Sequence, residues 1–116
     1  MVIIESKKYK KSYSKIIKAN SKEQERLENI KILFLNYSNL HDVLLTPYKE
    51  IYHIEQKTGN LKEYYTARVN KKIRLIMKPV GNYPYNTLEI TDIEFIDIDN
   101  KHYGEGWEYD WIWKYA

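Results

Sequence analysis

Hydrophobic periodicity switches once along this chain, and that switch limits the fold more than any other feature. Before about residue 39 the apolar side chains recur at helical spacing; after Pro47 they alternate with polar ones at strand spacing. Tyr9, Tyr13, Ile16 and Ile17 fall on one face of a helix from Ser6 to Ala19, with lysines over the rest. Ser21, with Gln24 three residues on, has the form of a capping box, and Leu27, Ile30, Leu33, Phe34 and Tyr37 continue a second stripe to about Asn39. Asn20 breaks the two, so a helical hairpin is expected. Val2-Ile3-Ile4 suits one short strand. Downstream, Glu50–Ile54, Leu61–Asn70 and Lys72–Lys78 read as strands. Asn70-Lys71-Lys72 is the turn between the last two, and Ile73, Leu75 and Met77 face away from Arg74 and Ile76. The run 87–99 shifts its phase of alternation twice, which marks a bulge or an end that leaves the sheet. Helices first and strands after predict an α+β domain: an N-terminal strand and two-helix hairpin packed on one face of a twisted, mainly antiparallel sheet.

At 116 residues the chain fits a single domain, 1–116, because two cores of half that size would each be marginal. No apolar run approaches a membrane span, so no membrane partner is expected, and the opening MVIIESKKYKK has only a three-residue apolar stretch, unlike a secretory signal. Zero cysteine removes disulfides and thiolate chemistry and agrees with a cytoplasmic location. Four glycines and no GxGxxG or P-loop pattern leave no nucleotide-cofactor motif, and no cofactor is expected. The net charge of +3 hides a dipole: residues 1–26 carry eight cations against three anions, residues 27–87 nine against five, and residues 88–100 five anions and no cation. A basic front of this kind suits a polyanionic partner such as RNA, or is simply a solvated lysine-rich face.

Sixteen of the 19 cations are Lys, a bias that reads mainly as AT-rich codon usage, so the three Arg stand out. Arg26, among Glu23, Glu25 and Glu28, suits ion pairing within its helix. Arg68 and Arg74 flank the turn at 70–72, and facing positions across it would put both guanidinium groups on one sheet face, as a phosphate clamp requires. The alternative is a pair of solvated surface residues. His102-Tyr103, with Lys101 before them, follow the acidic run; they suit proton transfer and base stacking, or are an ordinary strand-end pair. No HxH or HxxxH spacing supports a metal site. Asp97 and Asp99 alternate as on a solvent-facing edge strand, or hold the basic residues in place.

These residues carry a family likeness. TARVN (Thr66–Asn70) and IRLIM (Ile73–Met77), within YYTARVNKKIRLIMKPVG, resemble the central signature of the RelE/ParE superfamily of bacterial type II toxins. LEITDIEFIDIDNKHYGEG resembles the closing strand, where HigB-like members end in a His-Tyr or Tyr-His pair. The likeness covers roughly residues 1–104. It implies a metal-independent endoribonuclease that cuts mRNA in the ribosomal A site and is neutralised by a cognate antitoxin. On that resemblance Arg74, His102, Tyr103 and Arg68 are the catalytic candidates. Lys57, His53, Lys101, Lys71 and Lys72 are candidates for RNA binding, with His53 and Lys57 about one residue from the family's His and Lys positions. Two other readings stay open: a ParE-like DNA gyrase inhibitor, which needs no proton-transfer pair, and a noncatalytic nucleic-acid or protein-binding module. The tail 105–116 departs from the family pattern, with Trp107, Trp111 and Trp113 inside seven residues. It is expected either to cover the sheet or helices, or to present an aromatic patch to a partner.

Overall fold

The computed structural model describes residues 1–100. In chain order these form strand β1 (Val2–Glu5), helix α1 (Lys7–Ser12) continued by a π-helical turn (Tyr13–Ile17), α2 (Ser21–Leu35), α3 (Leu40–Leu44), α4 (Tyr48–Ile51), β2 (Glu55–Gln56), a 3₁₀ turn (Gly59–Leu61), β3 (Tyr65–Arg68), β4 (Arg74–Pro79) and β5 (Asp92–Asp99). The five strands make one sheet in the order β1-β5-β4-β3-β2. β1 runs parallel to β5, and the other neighbours are antiparallel. The α+β architecture with a helical hairpin against one sheet face is as the sequence predicts.

The Ser6 side chain starts α1 by accepting from the Tyr9 amide at 3.0 Å, while its hydroxyl donates to the Ile96 carbonyl at 2.7 Å. One residue thus caps the helix and fastens it to β5. The helix then widens, with the Lys18 amide bonding the Tyr13 carbonyl five residues back at 3.0 Å. A wider turn keeps residues spaced by four in line, which serves the Tyr9–Tyr13–Ile17 stripe. The expected capping box at Ser21 is not formed. Asn20 is the N-cap of α2, its Nδ2 donates to the Ile16 carbonyl, and Gln24 reaches the Tyr13 hydroxyl instead. The second stripe holds: Leu27, Ile30, Leu33 and Phe34 are all buried.

Phe95 of β5 is the meeting point. Tyr9 of α1 stands edge-on to it at 5.5 Å and Phe34 of α2 at 6.1 Å, so both helices close on the same side chain. Leu75, Met77, Ile93 and Ile98 extend this core along the sheet. Between Ile76 and Met77 of β4 the partner on β5 jumps from Asp97 to Phe95, leaving Ile96 as the extra residue of the expected bulge.

Three expectations are corrected. Residues 48–51 are helical, and β2 is only two residues long, where Glu50–Ile54 reads as a strand. Leu61–Asn70 yields a strand only at Tyr65–Arg68, preceded by the 3₁₀ turn. Asp97 and Asp99 are buried at 0% and 2% exposure, not solvent-facing: β1 pairs with β5 only as far as Phe95, and beyond it α1 lies against β5 and reaches Asp97 through Ser12. Asp97 accepts from the Ser12 hydroxyl and from the Ile98 amide. Among the described residues, no helix is long and apolar enough to cross a membrane.

The Tyr9 hydroxyl is buried and finds no hydrogen-bond partner among the described residues. Burial, then Glu5, pushes its ionisation well above the ordinary tyrosine value. Burial also raises Tyr65. The unfolded chain therefore releases these protons from about pH 10 while the fold retains them, so stability falls as pH rises beyond that point. Tyr9→Phe removes an unsatisfied buried hydroxyl, and we expect a thermal midpoint at pH 7 equal to or above the parent's. Melting curves of the two proteins at about pH 7 and 10.5 check this, the variant losing less on the alkaline side.

Candidate functional site

β3 and β4 carry the core on one face and a polar set on the other. Ala67 and Leu75 lie in the main core, so their neighbours Arg68 and Arg74 point to the opposite, helix-free side. The register pairs Arg68 with Arg74 directly, as the turn length predicts. Thr66 pairs with Ile76 next along this face, and Glu55 of β2 pairs with Thr66. Asp99 of β5 is the partner of Arg74 on the other flank.

The turn joining the two Arg is built by Asn70. Its side-chain oxygen accepts from the Lys72 and Ile73 amides, each at 2.8 Å, and its nitrogen donates to Glu23 of α2 at 3.0 Å. The Asn70 carbonyl in turn accepts from Arg74 Nη1 at 2.6 Å, with the Lys71 and Ile73 carbonyls at 3.3 Å. Arg74 is thus drawn over the turn while still close enough to Arg68 for mutual repulsion. Burial first, then Arg68, lowers its pKa, against a smaller raising effect of Glu55. Lys71 and Lys72 are exposed on the same turn.

His53 completes the group. It follows the last turn of α4 and has φ of +49°, the left-handed position usually given to Gly or Asn. That backbone turn brings its Nε2 to 3.3 Å from Arg68 Nη1. A guanidinium only donates, so Nε2 accepts and the ring proton sits on Nδ1 in this arrangement. Arg68 Nε is buried and has no partner among the described residues. The Arg68 amide bonds the Tyr52 carbonyl at 2.7 Å, so the helix end and the strand are locked together.

Arg26 is not an intrahelical ion-pair partner. It leaves α2 to donate to the Ile51 carbonyl at 2.9 Å and the Arg68 carbonyl at 3.4 Å, with its guanidinium 4.6 Å from the Tyr52 ring centre. It therefore supports the backbone from which both His53 and Arg68 project.

Of the sequence candidates, Arg68, Arg74 and His53 come together, with Lys71 and Lys72 at the rim. Lys57 does not join them; its amide bonds the Tyr64 carbonyl and it lines a separate cleft. Lys101, His102, Tyr103 and the tail 105–116 lie outside the described residues. Asn70 and Arg26 are the supporting residues that sequence reading misses. An Asn opening a two-lysine turn is a recognisable Asx-turn signal; the reach of Arg26 has no sequence signal. Among the described residues, no group of three His, Asp or Glu side chains forms a metal site.

A non-glycine residue in the left-handed region costs about 1–2 kcal/mol. His53→Gly should relieve that cost, and we expect its thermal midpoint to equal or exceed the parent's, while His53→Ala falls below His53→Gly. Differential scanning calorimetry of the three proteins decides; equal losses in both variants would mean that the Arg68 contact holds the turn.

No protein-family model matches the chain, and no curated protein matches it in sequence. Solved structures do. The YafQ crystal structure from E. coli strain BL21(DE3) superposes with a TM-score of 0.59 at 18% identity, covering 85% of this chain and 91% of that one. The YoeB/ParE toxin from Agrobacterium tumefaciens gives 0.59 at 13% identity over 88% and 100% of the two chains. The YoeB-YefM toxin-antitoxin complex from Staphylococcus aureus gives 0.57 at 19% identity over 89% and 98%. The hairpin-on-sheet architecture derived above is the RelE-like fold of these proteins.

Proposed function

We propose that the chain is the toxin of a type II toxin–antitoxin pair and acts as a metal-independent endoribonuclease on mRNA, in the ribosomal A site. The observation that carries this reading is the group Arg68–Arg74–His53 on the helix-free face of the sheet. Strand cleavage by the ribose 2′-hydroxyl needs charge stabilisation at the crowded phosphate and a proton transfer at each oxygen. Two paired guanidinium groups suit the first task. His53, beside Arg68, holds that guanidinium in place and is assigned to RNA binding. His102 and Tyr103, three and four residues beyond the Asp99 that stands opposite Arg74, are assigned proton transfer and base stacking. Lys71, Lys72 and Lys101 are assigned to the RNA backbone.

The fold likeness to YafQ, and to YoeB solved with its antitoxin, supports a cognate antitoxin as the protein partner and the cytoplasm as the place of action. Arg74 persists as a useful group in a ParE-like gyrase-binding protein, where His102 would not matter; His102→Ala therefore separates the two readings.

Expression of the chain without its antitoxin is expected to arrest growth and to leave mRNA cut beside translating ribosomes. Arg74→Ala and Arg68→Ala should each reduce cleavage by about 10²–10³-fold, with folding intact by circular dichroism. Growth arrest that survives Arg74→Ala and His102→Ala together, or arrest with intact mRNA and gyrase-linked DNA breaks, rejects the nuclease.

A further inference from the structure

A second basic and aromatic region lies away from the cleavage group, at the Tyr64 end of β3 and the loops beside it. Tyr64 and Ile96 pack on Leu61 and Ile76, a small cluster separate from the main core. Ile76 lies between Arg74 and Lys78 in β4, and Tyr64 precedes β3, about 13 Å from Arg68 at the usual strand rise. Lys78 Nζ sits 5.9 Å from the centre of the Tyr64 ring. Beyond it, Lys62 Nζ sits 5.0 Å from the centre of the Tyr83 ring. The Tyr83 ring meets Tyr85 edge to face at 5.7 Å, and the Tyr85 hydroxyl donates to the Glu63 carbonyl at 2.7 Å. That bond ties the β4–β5 loop to the β2–β3 loop. Burial, then Glu63, pushes Tyr85 up to about 12, so the hydroxyl stays a donor. An open cleft of 590 Å³ lies here, lined among others by Lys57, Lys62 and Tyr83 and, among the described residues, by no carboxylate residue.

Nothing in the core requires Tyr83 or Lys62, both of which are exposed. A tyrosine face with a lysine beside it offers a nucleotide a stacking surface and a phosphate partner together. We propose that Tyr83 and Lys62 form a second nucleotide-binding station, which holds unpaired nucleotides of the RNA strand whose phosphate lies at Arg68 and Arg74. The assignment rests on the RNA-cleavage reading for the identity of its ligand. Stacking on tyrosine accepts any base, so the station contributes affinity and strand direction rather than sequence choice.

The test uses the full chain and a labelled, unstructured single-stranded RNA of about 12 nucleotides, 2′-O-methylated so that it has no attacking hydroxyl. By fluorescence anisotropy, the Lys62→Ala/Tyr83→Ala double variant should bind about 10-fold or more weakly than the parent. Its slope of log affinity against log salt should flatten by about 0.7, the loss of one phosphate contact. Tyr83→Phe should bind within about twofold of the parent. With 5-iodouridine in the RNA, the unmutated chain should crosslink through the peptide carrying Tyr83, which decides the matter even if the double variant misfolds. Equal affinity of parent and double variant, absence of RNA binding by the parent, or crosslinks confined to other peptides overturns the station. Cleavage of mRNA by the parent beside translating ribosomes is read separately. A parent that cuts RNA while the double variant binds as well as it does removes the station and leaves the nuclease. A parent that cuts nothing, with weakened binding by the double variant, does the reverse.

Discussion

Phe95 is the contact on which the rest of the molecule depends. The chain has only two Phe, and they meet at this point, with Tyr9 closing from the other helix. Burying each such ring contributes about 1.5–3 kcal/mol, and edge-to-face geometry adds direction to that gain. Because α1 and α2 both fasten to one residue of an interior strand, they occupy one side of the sheet and, among the described residues, no helix covers the other. The bulge at Ile96, the next residue, keeps Phe95 inward while Ile96 joins the small cluster with Tyr64. One face is thereby given to packing and the other is left to polar chemistry.

Much of this is written in local spacing. The helical stripes are legible because their apolar residues decide a period over many turns. The pairing of Arg68 with Arg74 is legible because a short turn leaves the register little freedom. The illegible parts are long-range. Nothing near Asp97 announces that α1, some 85 residues earlier, will lie against β5 and set Ser12 on its carboxylate. Short helices such as α4 have too few residues for a period to appear, so Glu50–Ile54 passes for a strand. The His53–Arg68 contact depends on one backbone angle, which no pattern of side chains encodes.

The site is also held more firmly than its position on loops suggests. Arg26 reaches from α2 to two carbonyls beneath it, and Asn70 ties the hairpin turn to Glu23 of the same helix. Both supports come from α2, whose opposite side is packed on the core. A change in the seating of that helix is therefore transmitted to both ends of the Arg pair at once. Lys71 and Lys72, exposed on the turn, add a diffuse attraction for an anion.

The facing of Arg68 and Arg74 has a thermodynamic side. Like charges opposed across a sheet weaken the folded state, and the unfolded chain is free of that repulsion. An anion settling between them relieves the native state alone, so occupancy and stability rise together by mass action. The two guanidinium groups thus tie the fold's resistance to unfolding to the same anion that this face attracts.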